Sequence, residues 1–137
     1  MSGAGSTFTG PQADRMAIRE LMECYADAAS RMDKAQWLGC WAPDAVWAMR
    51  QGDIVGHAAL SQAWDTIFAS VEALGFFAMP GAIAVTGDSA RARCHVREVV
   101  RRANGVTRLC ARYDDELVRR DGGWTFARRT YVMNIEA

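Results

Sequence analysis

The sequence predicts an α+β fold in which N-terminal helices pack on a long, mainly antiparallel sheet. Helical periodicity fills the first half of the chain, and long runs rich in β-branched and aromatic residues fill the second. Asp121-Gly122-Gly123 separates the last two runs and is typical of a hairpin turn. Helices that precede such a sheet pack on one of its faces, which favours a cup with a hollow of ligand size.

Length and composition limit the class of protein. The 137 residues predict one domain over 11–137, preceded by a Gly/Ser/Thr-rich segment, 1–10, that is disordered or an arm. Lys and Arg number 16 and Asp and Glu number 16, so charge gives no reason to expect a nucleic-acid partner. No run of 18 apolar residues and no secretory signal are found, so we expect neither a membrane partner nor export. Four widely separated cysteines then indicate free thiols in a reducing cytoplasm, and their spacing argues against a zinc site.

Three helices are predicted in the first half. Apolar residues recur three and four apart through the first of them. Asp33 followed by Gln36 matches a variant of the capping box and opens the second. An apolar stripe that includes Leu60 and Trp64 predicts the third, which Gly75 ends. The predicted spans are 11–32, 33–41 and 57–74.

Six strands are predicted, two short and four long. Gly87-Asp88 and Asn104-Gly105 separate three of the long strands, and the second pair is a candidate type I′ turn. With the helices, the strands give the order ααββαββββ. The predicted strands are 45–49, 54–55, 76–86, 89–102, 106–120 and 124–135.

An ordered set of motifs covers residues 13–135. It resembles the SnoaL-like branch of the nuclear-transport-factor-two-like superfamily, and most closely the group of scytalone dehydratase, hexachlorocyclohexane dehydrochlorinase and bile-acid dehydratase. The resemblance implies a cone-shaped α+β barrel, with three helices closing over a strongly curved mixed sheet around a deep apolar pocket. Its members include dehydratases, isomerases, cyclases, hydrolases and non-catalytic binding subunits. The motifs are Ile18-Arg-Glu-Leu21 with Tyr25, Arg31-Met-Asp33-Lys34, Trp41-Ala-Pro-Asp-Ala-Val-Trp47, Gly56-His-Ala-Ala-Leu60, Gly87-Asp88 and Tyr113-Asp-Asp-Glu-Leu-Val-Arg-Arg-Asp-Gly-Gly-Trp-Thr-Phe126.

Asp33 is the first candidate catalytic residue. In the resembling lyases an Asp at this position lies at the pocket floor and works with a His as base. Among Met32, Trp37, Trp47 and Tyr25, a carboxyl would be desolvated and could exchange a proton near neutral pH. The alternative is that Asp33 caps the second helix, which stabilises a helix by about 1 kcal/mol.

The family's histidine is missing here. It should fall between Phe76 and Met79, where the chain has Phe, Phe, Ala and Met. His95 is the candidate substitute, but alternation places it with Arg93 and Arg97 on the outer face of its strand, unless a β-bulge reverses the face.

Glu98 lies on the inward face by the same alternation and is a second candidate acid or base. Arg129 matches a position where related enzymes carry an Arg, and it is the candidate cation beside Glu98. The alternative is that Glu98 lies beyond the pocket rim and pairs with a surface Arg.

Aromatic residues and methionines are expected to line the pocket, although any one of them could be ordinary core. Together they indicate a flat, hydrophobic ligand, and two of the tyrosines could donate hydrogen bonds to its oxygen. The predicted lining is Tyr25, Trp47, Trp64, Phe68, Phe76, Met79, Tyr113, Tyr131 and Met133.

We therefore expect a lyase or isomerase of dehydratase type that needs no metal or cofactor. Its substrate would be small and hydrophobic, aromatic or polycyclic. One alternative is a non-catalytic subunit resembling the small subunits of aromatic-ring dioxygenases, and another is an epoxide hydrolase or polyketide cyclase using the same pocket. The outer sheet face, expected to carry Trp124, Phe126 and Val118 among charges, suits a homodimer or homotrimer interface.

Overall fold

The computed structural model describes residues 7–137. The expectation of an arm over 1–10 falls partly outside this range. Within it, Phe8–Thr9 forms a short strand, β1, that pairs in parallel with Ile83 and Ala84. The last part of the predicted arm therefore belongs to the sheet.

Three helices are present among the described residues, as the sequence predicts: α1 (Gln12–Ser30), α2 (Lys34–Gly39) and α3 (His57–Phe68). The third is six residues shorter than predicted. Its end is set by the sheet, because Glu72 donates its backbone N–H to the Arg101 carbonyl at 2.8 Å and Ala73 then pairs with Arg101. Residues 73 and 74, which helical periodicity assigns to the third helix, therefore belong to β4.

The described strands form one mixed sheet in the order β1-β4-β5-β6-β7-β2-β3. Neighbours from β4 to β7 are antiparallel, whereas β2 runs parallel to β7. The sheet does not close on itself, so the predicted cone is an open, curved sheet covered by helices. The remaining bounds are β2 (Trp41–Met49), β3 (Gly52–Val55), β4 (Ala73–Thr86), β5 (Ser89–Arg102), β6 (Gly105–Arg120) and β7 (Gly123–Glu136).

Helix α1 packs its buried side against the sheet. Ala26, Ala28 and Ala29 are buried, and such small side chains allow the helix backbone to approach the strands closely. At its end, the Ser30 hydroxyl accepts from the Phe76 N–H at 2.9 Å and donates to the Phe76 carbonyl at 3.1 Å. This pair of bonds fixes the helix end against β4.

Two of the three expected turns differ in their backbone conformation. Asp121 (φ 52°) and Gly122 (φ 79°) both have positive φ and link Arg120 to Gly123, as a type I′ hairpin requires. Asn104 does not have a positive φ. The type I′ turn expected at Asn104-Gly105 is therefore not formed.

The expectation that Trp124 and Phe126 lie on the outer face of the sheet is wrong. Trp124 is buried and donates its indole N–H to Asp14 of α1 at 3.2 Å, and Phe126 is fully buried in the core. Both face the helices, so they cannot form an interface on the outer face. No helix within residues 7–137 is both long and apolar enough to cross a membrane.

Candidate active site

A cavity of about 100 Å³ lies between the three helices and the inner face of the sheet. Seven of the predicted site residues line it: Tyr25, Trp47, Trp64, Phe68, Phe76, Glu98 and Tyr113. The remaining lining consists of Ala29, Trp37, Ile67, Val71, Leu74, Val100 and Arg102.

One wall of the cavity is a cluster of aromatic rings centred on Trp37. Its ring centroid lies 5.0 Å from that of Trp64 and 5.5 Å from that of Trp47. Trp64 in turn stacks on Phe68 at 3.8 Å with an interplanar angle of 15°. Tilted and offset rings of this kind attract each other, so the wall is apolar and well packed.

Glu98 is the carboxyl group of the cavity. Strand alternation puts it on the inner face of β5, and the sequence predicted this placement. Its Oε2 accepts a hydrogen bond from the Tyr131 hydroxyl at 3.0 Å, and no described residue forms an ion pair with it. Burial raises the pKa of Glu98, and the Tyr131 hydrogen bond opposes the rise only in part.

Tyr25 and Tyr113 place two phenol oxygens 3.5 Å apart at the deep end of the cavity. Burial raises the pKa of Tyr25 to about 12 and that of Tyr113 well above its ordinary value. Both groups are therefore protonated at neutral pH and act as hydrogen-bond donors rather than as bases.

Arg129 lies directly behind these tyrosines. Its guanidinium carbon is 3.9 Å from the Tyr113 ring centroid and 4.4 Å from that of Tyr25. The expected partner, Glu98, is not its counter-ion. Nε and Nη2 instead donate to the two carboxylate oxygens of Asp115 at 2.8 and 3.1 Å, and both side chains are almost completely buried.

Asp115 is one of several residues at the site that the sequence reasoning missed. It shares strand parity with Tyr113 and Leu117, which are buried on the inner face, and this parity could have identified it. Burial raises the pKa of Asp115 and the Arg129 guanidinium opposes that shift. Since arginine is not deprotonated in proteins, the guanidinium keeps its positive charge against the tyrosine rings, with Asp115 as its counter-ion.

Asp33 lies at the turn between α1 and α2, so the expectation of a buried carboxyl at the cavity floor is wrong. Its Oδ1 accepts from the Gln36 backbone N–H at 3.0 Å, and its Oδ2 accepts from Arg31 at 3.3 Å. The side chain is 35% exposed, and Asp33 is not part of the cavity lining. The capping box forms only in part, because the Asp33 backbone N–H donates to the Ala28 carbonyl at 2.8 Å and the Gln36 Oε1 accepts from Arg31 instead.

His95, Met79 and Met133 also lie outside the cavity. His95 is exposed on the outer face opposite Met79, which is 66% exposed. A bulge is present nearby, but it falls at Gly81 of β4 and leaves the alternation of β5 intact. Met133 pairs with Ala111 and is 44% exposed. Tyr131 contributes to the site through its hydroxyl bond to Glu98 rather than as lining.

We expect Asp33→Ala to lower the free energy of unfolding by about 1 kcal/mol, because the N-terminus of α2 loses its cap. Urea denaturation measures this loss. Asp33→Asn is the matched control and should retain stability, since asparagine caps helices equally well. Loss of ligand binding in Asp33→Asn at unchanged stability would contradict the assignment of Asp33 as a cap.

No group of three or more His, Cys, Asp and Glu side chains close enough to hold a metal ion is found in the part of the chain that the structure describes. The polar groups described above are one desolvated carboxyl and two neutral phenols at the cavity, with a buried guanidinium behind the phenols.

The fold and this cavity define a class of protein: a small α+β domain with a mainly apolar cavity under its helices. The chain belongs to the SnoaL-like domain family, whose model matches residues 12–130. No curated protein sequence matches the chain.

Solved structures show the same fold. A Novosphingobium aromaticivorans protein with the provisional name aromatic ring hydroxylase is 26% identical, with a TM-score of 0.88 and coverage of 94% of this chain and 95% of that one. A protein of the same organism, provisionally named scytalone dehydratase, is 19% identical, with a TM-score of 0.85 and coverage of 91% and 87%. Hexachlorocyclohexane dehydrochlorinase LinA type 3 from Novosphingobium barchaimii LL02 is 22% identical, with a TM-score of 0.80 and coverage of 91% and 89%.

Proposed function

We propose that the protein is a cofactor-independent lyase or isomerase that acts by acid–base catalysis on a small hydrophobic substrate. One observation carries this proposal. Glu98 places a carboxyl of raised pKa in the wall of an otherwise apolar cavity, without an ion-pair partner among residues 7–137. Carboxyls in such surroundings are candidates for general acid–base catalysis, because their proton exchanges closer to neutral pH.

Glu98 is the proposed base. Its carboxylate takes a proton from a substrate carbon next to a carbonyl, and the electron pair of that C–H bond moves toward the carbonyl. In an isomerisation, Glu98 returns the proton to another carbon of the substrate. In a dehydration, the electron pair forms a carbon–carbon double bond, a neighbouring C–O bond breaks, and the hydroxide leaves with the proton as water.

Tyr25 and Tyr113 are the proposed donors to the substrate oxygen on which negative charge develops. Donors fixed in a water-poor cavity stabilise such charge strongly. The positive charge of Arg129 lowers the pKa of both phenols against the effect of burial, which strengthens them as donors. The buried indole N–H of Trp47 has no partner among the described residues and is a third donor.

The size of the cavity restricts the substrate class. A cavity of 150 Å³ is known to hold benzene, so about 100 Å³ accommodates no more than roughly one ring without movement of the walls. We therefore propose a single-ring or short branched substrate rather than a polycyclic one. The name aromatic ring hydroxylase, carried by one similar structure, agrees with a small aromatic compound.

Exchange of carbon-bound hydrogen tests this proposal before the substrate is known. Small cyclic ketones incubated with the protein in deuterium oxide should lose α-hydrogen signals in NMR spectra. The rate should rise with pH through a midpoint above the ordinary pKa of glutamic acid, because only the ionised form of Glu98 accepts a proton. The ketone without protein is the control. Absence of exchange across the ketones, or a rate that falls as pH rises, would contradict the proposal.

The second candidate function is a non-catalytic subunit, and the outer sheet face supports it. Phe77 is 61% exposed there and its strand neighbour Met79 is 66% exposed. Ile135, which is 64% exposed, lies in line with Phe77 across the sheet, because paired positions on the intervening strands connect the two. These side chains suit association with another protein or a homodimer or homotrimer. A stoichiometric larger partner in the purified complex, together with no exchange activity, would favour this function.

A further inference from the structure

The cavity lining divides into a deep end and a solvent end. Tyr25, Trp37 and Tyr113 at the deep end are almost completely buried. Ile67 is 36% exposed, and Arg102 is partly exposed. Arg102 and Val71 also line a surface depression next to the cavity, formed by the turn after α3 and the end of β5. The cavity therefore reaches solvent beside Arg102.

Only one of the three guanidinium nitrogens of Arg102 donates a hydrogen bond to a described residue. Its Nε donates to the Ser70 hydroxyl at 3.1 Å, which orients the group. Neither Nη atom has a hydrogen bond or an ion pair within residues 7–137. Glu72 lines the same depression, but its carboxylate lies 3.8 Å from the Nε of the neighbouring Arg101.

We propose that Arg102 binds a carboxylate of the substrate, so that the substrate is a small hydrophobic monocarboxylic acid. This inference rests on the proposed function, because it names the substrate class of the same cavity. An arginine held through Nε leaves its Nη groups to donate to a planar carboxylate, and such bonds between charged groups are short and strong. The hydrophobic end of the acid then occupies the aromatic cavity, and the carboxylate remains at the solvent end.

Spacing along β5 keeps the two charged sites apart. Glu98, Val100 and Arg102 alternate onto the same face and all line the cavity. Four residues of strand separate the backbones of Glu98 and Arg102 by about 13 Å. The carboxylate therefore binds several bonds away from the carbon that loses its proton. A single negative charge fits one arginine better than a phosphate dianion does, since Glu98 and Glu72 lie on either side.

Matched acids and amides test the proposal. Benzoate and benzamide have nearly the same shape, as do isovalerate and isovaleramide, and each pair differs in charge. The quenching of tryptophan fluorescence reports binding, because Trp37, Trp47 and Trp64 line the cavity. We expect the acid of at least one pair to bind about tenfold more tightly than its amide, as a charge-assisted bond predicts. In Arg102→Gln the two affinities should become equal, with the amide affinity unchanged.

Arg101→Gln is the matched control, because it removes the same charge from the neighbouring exposed residue, which does not line the cavity. It should keep the preference for the acid. Equal affinities in the wild type, or a preference that survives in Arg102→Gln, overturn this inference and leave the proposed function standing. Failure of all four compounds to bind also overturns this inference, whereas the exchange of ketone hydrogens decides the proposed function separately.

Discussion

Replacing Glu98 with glutamine is expected to lower turnover by about 10²- to 10⁴-fold, the usual contribution of a general acid or base. Glutamine keeps the size of the side chain and can accept a bond from Tyr131, but it cannot take a proton from carbon. The rate of hydrogen exchange into an active ketone measures the loss. Glu116→Gln is the control, since Glu116 is exposed on β6 and does not line the cavity.

The stability of the Glu98→Gln variant separates catalysis from folding. Because the pKa of Glu98 is raised in the folded protein, the folded state holds its proton more tightly than the unfolded state. The contribution of Glu98 to wild-type stability therefore falls as pH rises from the ordinary glutamic acid pKa through the raised one. Glutamine does not titrate, so the variant should be at least as stable as the wild type at neutral pH. A variant that is inactive because it has unfolded would contradict the catalytic assignment.

Removing Arg129 alone should cost about 3–5 kcal/mol of unfolding free energy. Arg129→Met keeps much of the side-chain volume but leaves Asp115 buried without its counter-ion. The contacts of the guanidinium with the rings of Tyr25, Tyr113 and Phe126 are lost as well. Urea denaturation at neutral pH measures the effect.

A double-mutant cycle tests the reason for that loss. Asp115→Leu combined with Arg129→Met removes both charges, and replacing a buried ion pair by apolar residues is often close to neutral. The double variant should therefore be more stable than Arg129→Met. The control is Arg120→Met, because Arg120 forms an exposed pair with Asp44 and such pairs contribute little. Losses that simply add in the double variant would contradict the role of the buried pair.

Strand alternation predicted much of the sheet and part of the site. It placed Glu98 inward and His95 outward, and both positions agree with the structure. Alternation works on β5 because the strand runs without a bulge from Ser89 to Arg102. The order of the elements after β1 followed in the same way from periodicity and turn residues, whereas β1 was not predicted.

The errors arise where the same local sequence fits two different structures, or where the structure depends on a strand that is distant in the chain. An Asp that caps a helix and an Asp that lines a pocket look alike in sequence, so Asp33 could not be assigned. The partner of Arg129 depends on the pairing of β6 with β7, which shifts between Glu116 and Leu117. The end of α3 depends on β5, which lies about thirty residues later in the chain.

The buried Asp115–Arg129 pair also limits how the gene can change. The two residues are 14 positions apart, yet each neutralises the other in a place that water does not reach. A substitution at either codon alone leaves a stranded charge, whereas a joint replacement does not. Evolution is therefore expected to keep or lose these two amino acids together.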